Sequence, residues 1–273
     1  VRVLVVGAYG FIGRAIVESL LARGHNIVGL GRSARIGRRI LPQIDWIERD
    51  LNAMGEADRW FPLLDCVDAV INASGALQDN IRDRLERTQG EAIVALIDAC
   101  AAKGVTRFVQ LSAPGATHDA STRFLRTKAV ADGHLAASPL AWTILRPALV
   151  IGRDAYGGTA LVRMLAACPV MLTVYGGQPV QCVARTLVAE LAVDAAEGRL
   201  DPRLDVDLAE ERSRPLAEVV ALHRRALGLP PAWFALDLPA LVARPISWIA
   251  DGLGLLGWRS PLRSTALAVM AHG

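Results

Sequence analysis

The sequence predicts an α/β protein: a doubly wound parallel sheet with a smaller, mostly helical C-terminal lobe. Three observations carry this. Short apolar bursts alternate with helical patterns over the first 150 residues, which is the rhythm of parallel strands joined by right-handed crossovers. Hydrophobic residues make up 52% of the 273 while aromatics make up 5%, so the apolar mass is aliphatic, as in a sheet covered on both faces. After Pro147 the rhythm gives way to longer irregular stretches punctuated by Gly157-Gly158, Gly176-Gly177, Pro202, Pro215, Pro230-Pro231 and Pro239.

In order, strands are expected at Arg2 to Val6, Asn26 to Leu30, Trp46 to Glu48, Ala69 to Asn72, Arg107 to Leu111 and Trp142 to Arg146. Helices are expected from Phe11 to Arg23, Arg84 to Lys103 and Arg123 to Ala137. Gly24 and Gly104 follow two of these helices, where a left-handed residue ends the turn. The expected domains are 1–150 for the sheet and 151–273 for the lobe, which would lie over the carboxyl ends of the strands.

The net charge of +3 is spread along the chain, and its densest basic stretch, Arg32 to Arg39, is too short to argue for nucleic acid. Cys66, Cys100, Cys168 and Cys182 have no paired spacing, which reads as reduced thiols, and no zinc or other metal constellation is expected. No run reaches the length of a membrane span and no signal peptide opens the chain, so a cytoplasmic protein is expected. Residues 239 to 256 are apolar with Trp248, read either as a helix packed on the lobe or as a surface touching a membrane or partner.

The strand Arg2 to Val6 runs into Gly7-Ala8-Tyr9-Gly10-Phe11-Ile12-Gly13 and then into a helix, the context of a dinucleotide-binding turn. Gly7 permits the turn, Gly10 lets a pyrophosphate approach the helix start, and Gly13 lets helix and strand pack closely. This G-x-x-G-x-x-G spacing resembles the extended and atypical members of the short-chain dehydrogenase/reductase superfamily, a Rossmann-fold group akin to the NAD-dependent epimerase/dehydratases. The resemblance spans about residues 1 to 190.

It implies a cofactor site of Gly7, Tyr9, Gly10, Phe11, Ile12, Gly13, Arg32, Ser33, Asp50, Leu51, Ala73, Ser74, Gly75, Lys128 and Pro147. Arg32 stands at the end of the second strand, where an NAD-preferring protein usually carries an acid. With Arg14 and Arg35 nearby, a 2′-phosphate partner is read there, so NADP(H) is expected ahead of NAD(H). Asp50 and Leu51 resemble the adenine pocket, Ala73 to Gly75 the ribose and nicotinamide side, and Pro147 a cover for the nicotinamide. The resemblance also implies a catalytic Ser112 that polarises substrate and a Lys128 that holds the ribose.

The departure lies four residues before that lysine. Active relatives carry Tyr-x-x-x-Lys, whereas this chain reads Phe124-Leu125-Arg126-Thr127-Lys128, and a phenyl ring has no proton to give. Tyr156, Tyr175, His118 and His134 are the alternative proton donors, with Tyr175 foremost. Loss of the tyrosine, with Gly176-Gly177-Gln178-Pro179-Val180-Gln181 before a helix near Ala184, resembles the NmrA-like regulators and the NADPH-binding accessory subunit of respiratory complex I. Residues Leu256 to Leu267 resemble the linker of bacterial proteins that continue into a DoxX-like membrane domain, which leaves a longer chain at the inner face of a membrane open.

Two functions follow. One is an oxidoreductase acting on a small apolar carbonyl, enone or quinone-like compound; the other is a non-catalytic redox sensor or accessory protein with a protein partner. Neither substrate identity nor oligomeric state is specified.

Overall fold

The computed structural model describes residues 1–75, 84–154 and 158–238. Along the chain run β1 (Arg2–Val6), α1 (Phe11–Ala22), β2 (Asn26–Gly31), α2 (Ala34–Ile40), β3 (Asp45–Glu48), β4 (Ala69–Asn72), α3 (Ala92–Lys103), β5 (Arg107–Leu111), α4 (Arg123–Ala137) and β6 (Ala141–Pro147). Then come β7 (Leu149–Ile151), α5 (Gly158–Ala167), β8 (Met171–Val174), β9 (Pro179–Val180), β10 (Cys182–Ala184), α6 (Arg185–Glu197), β11 (Leu204–Leu208), β12 (Arg214–Pro215), α7 (Leu216–Ala226) and β13 (Ala235–Leu238).

Seven strands form one parallel sheet in the order β11-β6-β5-β4-β1-β2-β3. The order reverses direction between β1 and β4, so their carboxyl ends open a crevice at the switch point. The inner strands β1, β2, β4 and β5 carry continuous runs of buried residues, so both of their faces are covered. Leu4, Val6, Val28, Leu30, Val70, Phe108 and Ile144 meet Ala92, Ile93, Leu96 and Ile97 of α3 and Ala131 and Leu135 of α4. Helices α1 and α6 pack together, and α6 lies on β4, β5 and β6. Helices on the sheet's two faces make it doubly wound, as the alternation predicts.

The chain divides into two compact units. The first holds the sheet and takes residues 1–79, 83–148 and 184–208. It therefore includes α6 and β11, which the sequence reading assigns to the lobe: their short apolar pattern carries no sign of which layer they join. The second unit, 80–82, 149–183 and 209–273, gathers α5 and α7 around Val162, Ala166, Met171, Cys182, Leu216, Val219 and Val220, with two-stranded ribbons β10-β7, β12-β9 and β13-β8.

Element limits follow the sequence with local differences. The basic stretch after β2 contains α2, because the Ser33 hydroxyl accepts from the Ile36 amide at 3.3 Å and starts a helix. The helix expected from Arg84 opens instead with a π-helical turn at Glu86–Glu91, which runs directly into α3. Gly104 ends α3 in the left-handed region, φ 72°, where its lack of a side chain is needed. Cys100 and Cys182 are buried; Cys66 and Cys168 are exposed. Among the described residues no helix is long and apolar enough to cross a membrane. Tyr156, Gly157, the apolar stretch 239–256, the linker-like 256–267 and His272 lie outside the described residues.

Phe108 is fully buried on β5 between the sheet and α3, so Phe108→Ala should lower unfolding free energy by about 3–5 kcal/mol. Urea unfolding checks this, with the midpoint falling and the slope unchanged.

Candidate functional site

The site begins where β1 ends. Gly7 adopts φ 77° as its amide donates to the Leu30 carbonyl at 2.9 Å, and the Gly10 amide donates back to the Gly7 carbonyl at 2.8 Å. A Cβ on Gly7 would stand 2.9 Å from the Ala73 carbonyl oxygen and from the Ser74 backbone. The loop after β4 therefore lies directly against the glycine loop. A Cβ on Gly13 would collide with the Gly7 carbonyl, so the first turn of α1 can sit this close to β1 only with glycine there. Ile12 and Phe11 begin that turn. Arg185, at the start of α6, places its guanidinium 5.0 Å from the Phe11 ring and donates to the Phe11 carbonyl at 3.4 Å.

From α4, Lys128 reaches the ends of two strands. Its ammonium donates to the Leu111 carbonyl at 2.7 Å and the Ser74 carbonyl at 3.1 Å, and the side chain is buried. Burial lowers its pKa from 10.5 to about 8, against the opposing effect of the Asp132 carboxylate. Ser74 is fixed in turn: its amide and hydroxyl both donate to Asn72 Oδ1, at 3.1 and 2.6 Å. Asn72 donates to Gln110 Oε1 at 2.8 Å. Gly7, Ala73, Ser74, Gly75, Lys128 and the end of β5 thus form one continuous strip.

Phe124 lies one helical turn before Lys128 on the same helix and is half-buried. One turn after Lys128 comes Asp132, a residue the sequence reading does not single out. Its Oδ2 accepts from the Ser112 hydroxyl and pairs with Arg146 at 3.1 Å, while Oδ1 has no partner among the described residues. Burial pushes the Asp132 carboxyl above its ordinary range. Arg146 also grips Asp205 of β11 with two bonds, at 2.7 and 2.9 Å. While Asp132 is ionised, the Ser112 proton is directed into the interior and its oxygen can meet an outside group only as an acceptor. The signal for Asp132 was the i, i+4 spacing that already linked Phe124 to Lys128.

The other expected positions fall at the same edge of the sheet. Pro147 is buried at the end of β6, in register with Leu208. Asp50 caps a 3-10 turn, accepting from the Asn52 amide at 3.0 Å, and Leu51 packs on the core. Arg49, Asp50, Ala53, Met54 and Arg59 line an open depression of about 340 Å³. At the end of β2 the Tyr9 ring lies against Gly31, and its hydroxyl accepts from the Arg32 amide at 3.1 Å. Glu48, in register with Gly31, accepts from the Ala34 amide at 2.8 Å.

Two of the alternative proton donors, His134 and His118, lie toward the far end of α4. His134 pairs with Asp98 at 2.6 Å, ten residues and about 15 Å along α4 from Phe124. His118 is exposed, with Nε2 facing Gly133 on that same later part of α4. Tyr175 belongs to the second unit, at φ 58° in a turn whose Gly176 amide donates to Asp237 at 2.9 Å.

A glycine turn at the sheet's switch point, abutting a backbone that a buried lysine holds in place, defines an NAD(P)-binding Rossmann protein. The chain belongs to the NAD(P)H-binding family, whose model matches residues 7–197.

Among individual proteins, the photosystem II assembly factor Ycf39 of Synechocystis is 31% identical over 147 residues, 53% of this chain and 44% of its own length. The 2-alkyl-3-oxoalkanoate reductase of Stenotrophomonas maltophilia is 27% identical over 173 residues, 55% of this chain and 51% of its own. An uncharacterized chloroplast protein of Arabidopsis thaliana is 27% identical over 167 residues, 58% and 53%. The chain spans about half the length of these relatives. UDP-glucose 4-epimerase of Thermus thermophilus, in complex with NAD, superimposes with TM-score 0.70 at 22% identity, covering 88% of this chain and 86% of that one. WbmH of Bordetella bronchiseptica, in complex with NAD⁺, gives 0.70 at 20%, covering 87% and 85%.

The expectation of NADP(H) ahead of NAD(H) is corrected. The similar structures that name a dinucleotide name NAD. The residues give the reason: a carboxylate, Glu48, reaches the end of β2 from the neighbouring strand, and Arg14 is paired with Glu18 at 2.8 Å. Counting arginines along the sequence misses an acid that arrives from β3.

Lys128 also sets a pH dependence. Its folded pKa near 8 lies below the unfolded value, so between about pH 8 and 10.5 the unfolded chain holds the proton that the folded chain has released. Stability from this group therefore rises with pH in that window, by at most about 1.4 kcal/mol per pH unit. Denaturant unfolding at a series of pH values should show the rise, and Lys128→Met should flatten it.

Proposed function

We propose that this chain holds NAD(H) along the strip from Glu48 to Lys128 and exchanges a hydride with a small apolar carbonyl, enone or quinone-like compound. The observation that carries this is the Lys128 ammonium, buried and bound to the Ser74 and Leu111 carbonyls beside the Gly7 turn. The residues fit the cofactor: Gly7 and Gly13 let the glycine turn and the start of α1 pack closely at the end of β1, and no side chain caps the amides at the start of α1, which a pyrophosphate can therefore meet.

Bound NAD(H) would supply or accept the hydride. Lys128 spends two of its three donors on carbonyls, leaving one for a ribose hydroxyl. Asp132 keeps positive charge favourable at Lys128, and Ser112 and Arg146 hold Asp132. Phe124 supplies an apolar wall where a phenol would exchange a proton, so a substrate oxygen must obtain its proton from water or from another side chain. This favours acceptors whose reduction needs little protonation in the transition state, because general acid catalysis is commonly worth about 10² to 10⁴ in rate. The ketone reductase among the relatives is in keeping with this substrate class.

A second reading rests on Phe124 itself: a protein that binds NAD(H) without turning over and reports cofactor state to a partner. The two part on one experiment, in which NADH carrying deuterium at C4 is incubated with a panel of ketones, enones and quinones. Deuterium in a reduced product supports hydride transfer. Binding of NADH without transfer supports the second reading, and no binding overturns both. Lys128→Met should weaken NAD⁺ binding about tenfold or more by calorimetry, equivalent to about 1.4 kcal/mol, while leaving circular dichroism unchanged.

A further inference from the structure

We infer that the outer face of the β8-β13 ribbon docks on the surface of an anionic lipid bilayer, with Leu172, Trp233, Phe234 and Leu236 entering the headgroup layer. The inference goes beyond the cofactor reading and does not depend on it, since every residue it uses belongs to the second unit.

The ribbon pairs Ala235 with Met171, Leu236 with Leu172, Asp237 with Thr173 and Leu238 with Val174. Side chains alternate between its faces, so Met171 and Thr173 share one side while Leu172, Val174, Leu236 and Leu238 share the other. The first side is buried: Met171 joins the core around Val162 and Val219, and the Thr173 hydroxyl donates to Asp237 at 3.0 Å. A sheet packed on one side usually turns polar groups to the water on the other. Here the outer side is apolar. Leu236 is 52% exposed and Leu172 41%, and just before the strand Trp233 and Phe234 are 80% and 58% exposed. Single exposed leucines are ordinary, but four large apolar side chains on one short ribbon form a patch, and patches mark contact surfaces.

The backbone under the patch is pinned. The Trp233 amide donates to the Pro169 carbonyl at 3.0 Å, and the Met171 amide to the Phe234 carbonyl at 3.1 Å. Buried Arg224 grips the carbonyls of Pro230, Ala166 and Cys168, which ties the segment before Trp233 to the end of α5. The two aromatic rings therefore project from a fixed edge.

Area, composition and charge together select a bilayer as the occupant. A four-residue ribbon offers a face about 13 Å long and about 10 Å wide. That is far below the roughly 800 Å² per partner that a stable protein interface covers, so a second copy of the chain would gain too little there. Tryptophan and phenylalanine beside leucine suit the boundary between water and lipid, where the indole body is buried and its N–H stays wet. Arg225, at the end of α7, is exposed. The sequence leaves the ribbon as Pro239-Ala240-Leu241-Val242, and residues 239–273 carry Arg244, Arg259 and Arg263 against Asp251. Apolar side chains interleaved with arginine match anionic headgroups over an acyl layer.

The test sediments the full chain with vesicles of phosphatidylcholine, with and without phosphatidylglycerol. It is repeated on the double variants Trp233→Ser/Phe234→Ser and Leu172→Ser/Leu236→Ser, with circular dichroism and size-exclusion chromatography on each. The wild-type chain should partition at least tenfold more strongly onto the phosphatidylglycerol vesicles, less so as salt rises, and each double variant should lose about tenfold. Brominated acyl chains should quench the tryptophan fluorescence of the wild-type chain more than that of Trp233→Phe, which a merely structural role of the patch would not produce. No partition onto either vesicle, double variants that bind like the wild type, or quenching that Trp233→Phe leaves unchanged overturns the inference. An oligomer of the wild-type chain that a double variant dissolves also overturns it, because a second copy then covers the face.

Discussion

One buried cation organises the carboxyl edge of this sheet. Lys128 crosses from α4 to donate to the carbonyls of Ser74 and Leu111, the backbone that leaves β4 and β5. An ammonium without water is costly, and it remains only where carbonyls and a nearby carboxylate compensate it. Asp132 supplies the carboxylate, Ser112 and Arg146 hold Asp132, and Arg146 joins it to the outer strand through Asp205. The position of the loop after β4, against which Gly7 packs, thus depends on electrostatics that run through four elements. Lys128 and Arg146 each compensate the buried Asp132 carboxylate, so removing either leaves it with one cation.

The fold was legible because its main signals are periodic. Valine-rich strands of four to six residues, helices of helical spacing between them and a glycine after α3 each point to the same parallel sheet. What escaped was structure whose cause lies elsewhere in the chain. Helix α2 is short and arginine-rich, and only the Ser33 cap announces it. The π-turn at Glu86–Glu91 has no sequence marker, and β11 joins the sheet through pairing with β6 that no local pattern encodes.

The site divides along the same line. Gly7, Gly10, Gly13 and Lys128 are readable because backbone clearance and helical spacing leave marks on the sequence. Arg185 is not, since it matters through a residue far away in the chain, Phe11, and Asp132 is marked only by its i, i+4 spacing from Lys128 while its partner Ser112 lies on another element. Cofactor choice misled for the same reason. Arg32 follows the end of β2 directly in sequence, whereas Tyr9 and Glu48 reach the same segment from elsewhere in the chain. Phe124, read directly from the chain, keeps its meaning in the fold: it stands one turn from Lys128 with no proton to offer.

Amide hydrogen exchange of the full chain with and without NAD⁺ tests the central claim most directly, since it reports where the dinucleotide lies. Slowed exchange confined to Gly7–Gly13, to the segment after β2 and to the Ala73–Gly75 backbone is the result expected from the strip that Lys128 holds. Unchanged exchange there, or protection gathered in the second unit alone, would contradict it.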